Sequence, residues 1–145
     1  MHQNMNHSYD QQDIDISLAL KPCESKIKPI IVVRINNHVL FEGVLEDART
    51  MSHRVDLMSN ISISIGLMNK NYHNDPDSGV IIDSLEIDQF ELIPSWTQLF
   101  SYINDHANNS PTNHLGYNGT WSLNIIEPFY RWQHKITGQG WLLEP

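Results

Sequence analysis

Residues 69–79, NKNYHNDPDSG, gather most of the oxygen-bearing side chains that could act together in this sequence. Asn69, Asn71, Asn74, Asp75 and Asp77 fall inside the stretch, and Asp83 follows shortly after it. Calcium takes about six to eight oxygens from carboxylates, amide oxygens and backbone carbonyls, and a turn-rich loop of this composition can supply them. Asp75, Asp77 and Asp83 are therefore the candidate calcium ligands. The spacing lacks the EF-hand series and its closing Glu. The competing reading is structural: Asp and Asn build turns and keep the end of a sheet hydrated.

Ring-bearing residues form a second group. The four tryptophans, Trp96, Trp121, Trp132 and Trp141, all lie in the C-terminal third, with Tyr102, Tyr117, Phe129 and Tyr130 among them. Sugars present apolar C–H faces edged by hydroxyls. A sugar site therefore needs aromatic faces for stacking and amide or carboxylate groups at the edges. The run NNSPTNHLGYNGTW has that composition. Tyr117, Tyr130 and Trp132 adjoin loops and are the candidate stacking residues. Asn108, Asn109 and Asn113 are the candidate partners for hydroxyls. Trp121 is in phase with Leu123 and Ile125, and Trp96 shares an apolar helical face, so both read as core.

The eight histidines are scattered, without Cys partners and without helical i, i+4 pairs. His73, His106 and His114 are the set that could hold zinc, and the alternative is solvated loop histidines. Cys23 is the sole cysteine, so no intramolecular disulfide forms, and it reads as a small packed residue. Signatures of catalysis are absent: no G-x-S-x-G elbow, no P-loop, no dinucleotide fingerprint and no H-E-x-x-H. Gly138-Gln139-Gly140 reads as a turn. A glycosidase would need paired acids such as Asp75/Asp77 or Asp83/Asp88 facing each other across a cleft.

The elements that must hold these groups are strands. Residues 1–12 are polar, without the basic and apolar regions of a secretion signal, and read as a flexible segment before one domain over 13–145. Ile14, Ile16, Leu18 and Leu20 alternate with polar or small residues as a half-buried strand. Residues 30–35 are apolar on both faces, and Asn36-Asn37 turns them back into residues 39–45, with Gly43 as the expected bulge. Residues 46–50 read as a connection and Arg54 as the start of a strand. NISISIGL, residues 60–67, alternates cleanly. Residues 80–92 read as one long strand that slips phase near Asp88-Gln89. Trp96, Leu99, Phe100 and Ile103 have helical spacing, which predicts a short helix over about 96–103. Asn118-Gly119 leads into a strand with Trp121, Leu123 and Ile125. Together these segments predict an all-β, jelly-roll-like β-sandwich.

Net charge is −8 and no basic stripe interrupts it, which disfavours nucleic acid and anionic membrane surfaces as partners. No stretch approaches the roughly 20 apolar residues of a membrane span. The hairpin IIVVRINNHVLFEGVLE, the alternation ISISIGLMNKN, the strand SGVIIDSLEIDQFEL and the tail YNGTWSLNIIEPFYRW resemble small β-sandwich proteins of marine cyanophages. Those are similar in outline to jelly-roll carbohydrate-binding modules. The resemblance covers nearly all of residues 13–145. It implies a non-catalytic module that binds a glycan, with Asp75, Asp77 and Asp83 as counterparts of calcium-holding acids. It also implies a place in the virion or the host cytoplasm. The alternatives are a structural or assembly protein, self-associating or docked on virion proteins, and a small glycan-acting hydrolase. The binding reading requires loop 69–79 and the Asn-rich loop 104–118 to lie at the same end of the sandwich.

Overall fold

A computed structural model of the chain describes residues 13–93, 99–106 and 112–138. The strands are β1 (Asp13–Pro22), β2 (Ile30–Ile35), β3 (His38–Val44), β4 (Arg49–Asp56), β5 (Ile61–Leu67), β6 (Val80–Ile87), β7 (Phe90–Ile93), β8 (Ser101–Asn104), β9 (His114–Leu115) and β10 (Gly119–Ile125). Among the described residues one helix, α1 (Phe129–Thr137), follows them. Two antiparallel sheets form a jelly-roll-like sandwich. One runs β4-β1-β6-β7, with β9 also paired to β6, and the other runs β3-β2-β5-β10-β8.

Alternation explains the layers. Ile14, Ile16, Leu18 and Leu20 of β1 turn inward, as do Ile61, Ile63, Ile65 and Leu67 of β5 and Trp121, Leu123 and Ile125 of β10. Side chains of successive strand residues point to opposite faces, so each strand gives one face to the core. Burying each of these large side chains contributes about 1.5–3 kcal/mol. β2 is apolar on both faces because Val32, on the outer face, packs over Gly66 and is itself buried.

The phase slip in β6 lies earlier than expected. Ala19 faces Ser84 while Leu20 faces Ile82, so Asp83 is the extra residue of a β-bulge. The bulge lets Val80 and Ile82 before it, and Leu85 and Ile87 after it, all reach the core. Asp88 and Gln89 are not a bulge within one long strand. They are the turn between β6 and β7, with Ile87 opposite Phe90, and both are left-handed at φ 51 and 67. Two left-handed residues match the twist of a two-residue hairpin, but Gln has no local reason to favour that conformation. Gln89→Gly is therefore expected to stabilise the chain by about 1 kcal/mol. A urea titration checks this, with a higher midpoint at unchanged slope; an unchanged or lower midpoint would refute the turn assignment.

Other boundaries moved for physical reasons. The predicted helix fails over its second half: Ser101–Asn104 is β8, paired to β10. Tyr102 points in at 2% exposure and Ile103 points out at 65%, a period of two where the spacing of apolar residues suggested 3.6. Residues 94–98, with Trp96, lie outside the described residues. Among the described residues the helix is α1, anchored by buried Phe129 and closed by left-handed Gly138 at φ 81. β4 starts at Arg49 because its inward positions sit at the open edge between the sheets. There the Arg49 guanidinium covers the Phe41 ring at 4.6 Å, and His53 meets His38 at 5.0 Å. In β3 the extra residue is Leu40, since Val33 faces Phe41 and Arg34 faces Val39; Gly43 sits in regular register opposite Ile31.

Candidate functional site

Three loops converge at one end of the sandwich: residues 23–29, residues 68–79 and the segments around β9. Much of the polarity of loop 69–79 is spent on backbone. Asn69 accepts from the Ile30 N–H at 2.8 Å and donates to the Lys28 carbonyl at 3.1 Å. Asn71 accepts from the N–H groups of His73 and Asn74. Asp75 is 4% exposed and accepts from the Ile27 N–H at 2.7 Å. Asp83, in the β6 bulge, lies 3.5 Å from Lys21 Nζ, and Asp77 is exposed. Among the described residues no three His, Cys, Asp or Glu side chains are grouped so as to hold a metal ion. Asp75, Asp77 and Asp83 are thus not assembled as a ligand set, and neither are His73, His106 and His114.

What binds the two loops together is an amide clamp. Lys70 donates its N–H to Asn118 Oδ1 at 2.7 Å, and Asn118 Nδ2 donates to the Lys70 carbonyl at 3.3 Å. The Asn118 N–H donates to the Tyr72 hydroxyl at 3.0 Å, and that hydroxyl donates to Asp105 Oδ1 at 2.5 Å. The Asp105 N–H in turn donates to the Asn118 carbonyl at 3.0 Å. Loop 69–79 and residues 104–106 and 112–118 therefore occupy the same end, as the binding reading requires.

Rings gather over this clamp. His106 stacks on Tyr117 at 4.4 Å and 27°, and lies 4.5 Å from the Tyr72 ring. His106 Nδ1 is 2.9 Å from Asp105 Oδ1. Hydrogen bonds from the Tyr72 hydroxyl, first, and from His106 hold the Asp105 carboxyl below its ordinary range. Burial, then the bond to Asp105, raises the Tyr72 phenol. Beneath them, the buried Tyr102 hydroxyl accepts from the Tyr117 N–H at 2.9 Å and donates to the Tyr117 carbonyl. Burial pushes that phenol up to about 12.

A cleft of about 310 Å³ opens beside the rings. Tyr72 and Tyr117 give it aromatic walls, and Lys70, Asp77, Ser78 and His114 give it polar groups. Among the described residues Asp77 is the acid in its lining. Cys23 Sγ approaches His114 Nε2 at 3.4 Å. Burial pushes the thiol up against the opposing pull of Lys70, so Cys23 stays protonated at neutral pH and acts as a packed thiol.

The candidate sugar residues divide. Tyr117 lines the cleft. Asn113 lies beside it, but its Nδ2 donates to the Ile82 carbonyl at 3.1 Å and its own carbonyl accepts from the Ile82 N–H, so it extends the pairing of β6. Tyr130 and Trp132 sit on α1 at the other end, where the Tyr130 hydroxyl donates to the Asp88 carboxylate and Trp132 packs on Phe129. The length of β6, about 25 Å, separates them from the cleft. Asn108 and Asn109 lie outside the described residues. Trp121 is core, fully buried. Sequence reasoning missed Tyr72, Lys70 and Asp105. The available signal was Tyr72 itself, a lone ring inside a polar loop with no strand to carry it into the core.

No protein-family model matches the chain, and no curated protein does. Solved structures do. The chain is similar to one described as vCBM60 in complex with galactobiose, with a TM-score of 0.51 and 11% identity over 77% of this chain and 99% of that one. It is also similar to a selenomethionine form of vCBM60, described with two families of calcium-dependent carbohydrate binding modules linked by circular permutation. There the TM-score is 0.49 and the identity 9%, over 77% of this chain and 91% of that one. The likeness is one of fold: this chain folds as a β-sandwich of the kind seen in a carbohydrate binding module.

Proposed function

We propose that this chain is a non-catalytic carbohydrate-binding module that takes a short oligosaccharide in the cleft beside Tyr72 and Tyr117. The observation that carries the reading is the convergence of two ring walls with Asp77, His114 and Lys70 in one cleft. Ring faces suit the apolar face of a pyranose, and the polar groups suit its hydroxyl edge. The phage origin and the virion setting belong to this reading through the sequence resemblance alone. The fold shared with vCBM60, described in complex with galactobiose, makes galactobiose the first ligand to test.

Titration calorimetry with galactobiose, beside a glycan array, checks the proposal. A dissociation constant of about 0.1–1 mM is expected for one shallow cleft, with much tighter retention on multivalent display. Tyr117→Ala is expected to weaken binding about tenfold. The backbone bonds between Tyr117 and Tyr102 do not involve the removed ring, so the local fold persists in that variant. Tyr130→Ala, at the far end, should leave affinity unchanged. No retention of any glycan, even multivalent, would sink the reading.

A further inference from the structure

We propose that the Lys70 ammonium takes the place of a metal ion in loop 69–79, so that the cleft is organised by a tethered cation and needs no calcium. The proposal concerns the cleft assigned above, and its first readout needs no glycan. Lys70 Nζ donates to the Pro76 carbonyl at 2.6 Å and to the Ser78 carbonyl at 2.6 Å. These carbonyls flank Asp77 and converge on one point, an arrangement that requires a cation or a strong donor at its focus. Bonds from an ammonium are the short, charge-assisted kind, and an ammonium has three donors with which to make them. The nitrogen also stands 5.9 Å from the centre of the Tyr72 ring.

The lysine is held there from behind. Asn118 takes both backbone groups of Lys70, as a strand partner would, so the side chain leaves a fixed point. Several oxygens that an ion would recruit are committed elsewhere: those of Asn69, Asn71 and Asp75 accept backbone N–H groups, and Asp83 pairs with Lys21, which leaves Asp77 as the exposed acid of the loop. A divalent ion at the carbonyl focus would have to displace a like charge. Calcium also needs about six to eight oxygens, and the two loop carbonyls that converge are already filled by the ammonium, with Asp77 between them in the sequence. The acidic, turn-rich sequence of the loop thus reads as cation-binding, and the cation is Lys70.

Thermal unfolding of the full chain, in chelator and in calcium chloride at about 10 mM, well above the weak end of calcium affinities, is the first test. The expected result is one melting temperature in both. Lys70→Met, which keeps the length and removes the charge, should lower it by roughly 3–6 °C. In the same variant, amide exchange over residues 71–78 should quicken at least tenfold, with β5 and β10 still protected as proof of folding. A rise in the wild-type melting temperature with calcium, or a Lys70→Met variant with unchanged melting and exchange, would overturn the proposal. Absence of glycan binding would leave these readouts intact and count against the functional reading alone. Loss of glycan binding in chelator would do the reverse.

Discussion

Replacing Gly119 by alanine is expected to destabilise the chain by about 3 kcal/mol or more. A Cβ at this position would lie 2.2 Å from the Ile103 carbonyl oxygen and 2.6 Å from Asn104 Cα. Both are backbone atoms of β8, so no side-chain rotation relieves the contact. β8 would have to leave β10, and Asp105 and His106, which follow it directly, would go with it. The Tyr72–Asp105 bond and the His106 stack would then be disturbed, and the loss of stability should be accompanied by a loss of glycan affinity. Gly43→Ala is the control. Gly43 has a similar backbone, φ 142 against 158, but open space around the added carbon. It should cost only about 1–2 kcal/mol, from the backbone conformation alone. Denaturant titrations of both variants measure the difference; equal losses would mean that the contact with β8 is irrelevant.

Trp121→Ala should cost about 4 kcal/mol. The side chain is fully buried, packs 4.8 Å from the Phe100 ring and donates from Nε1 to the Thr112 carbonyl at 3.1 Å. Thr112 Oγ1 in turn accepts from the N–H of His114, a cleft residue, so the core tryptophan also fixes one wall of the cleft. Trp121→Phe separates the two contributions. It keeps most of the apolar contact and removes the donor, and should cost about 1–2 kcal/mol for the carbonyl left without its partner. Unfolding in guanidinium reads both values. A Trp121→Ala loss below that of the phenylalanine variant would show that packing around the ring is loose.

The sandwich was readable because β1, β5 and β10 write their burial into a two-residue period. Ile61, Ile63, Ile65 and Leu67 could face only one way, and Asn36, left-handed at φ 54, suited a tight turn. Errors came where the period is interrupted. Asp83 breaks the phase of β6 without any glycine to announce a bulge. Asp88-Gln89 lacks the glycine that usually marks a left-handed turn, so one strand was expected where a hairpin stands. Phe100 and Ile103 have helical spacing, but pairing of residues 101–104 with β10 makes a strand that turns Tyr102 in and Ile103 out.

The cleft was less legible for a different reason. Its members come from loops far apart in the sequence, and what joins them is a set of bonds between single polar side chains. Nothing in NKNYHND states that Lys70 will meet Asn118 or that Tyr72 will meet Asp105. Composition showed that rings and amides were available, but not which would share an end. Tyr117 and Tyr130 looked equivalent in sequence; the direction of β10 and the position of α1 beyond it put them at opposite ends.

If the cleft takes a glycan as proposed, the two-sided hold of Asn118 on Lys70 bears on the kinetics of its entry. Lys70 and Asn118 are joined when the chain folds, so on the proposed reading a ligand that meets this wall of the cleft need not wait for it to form, and little flexibility remains there to be lost. Association should then run at a rate fixed by diffusion and orientation. Differences among ligands would appear in how long each one stays.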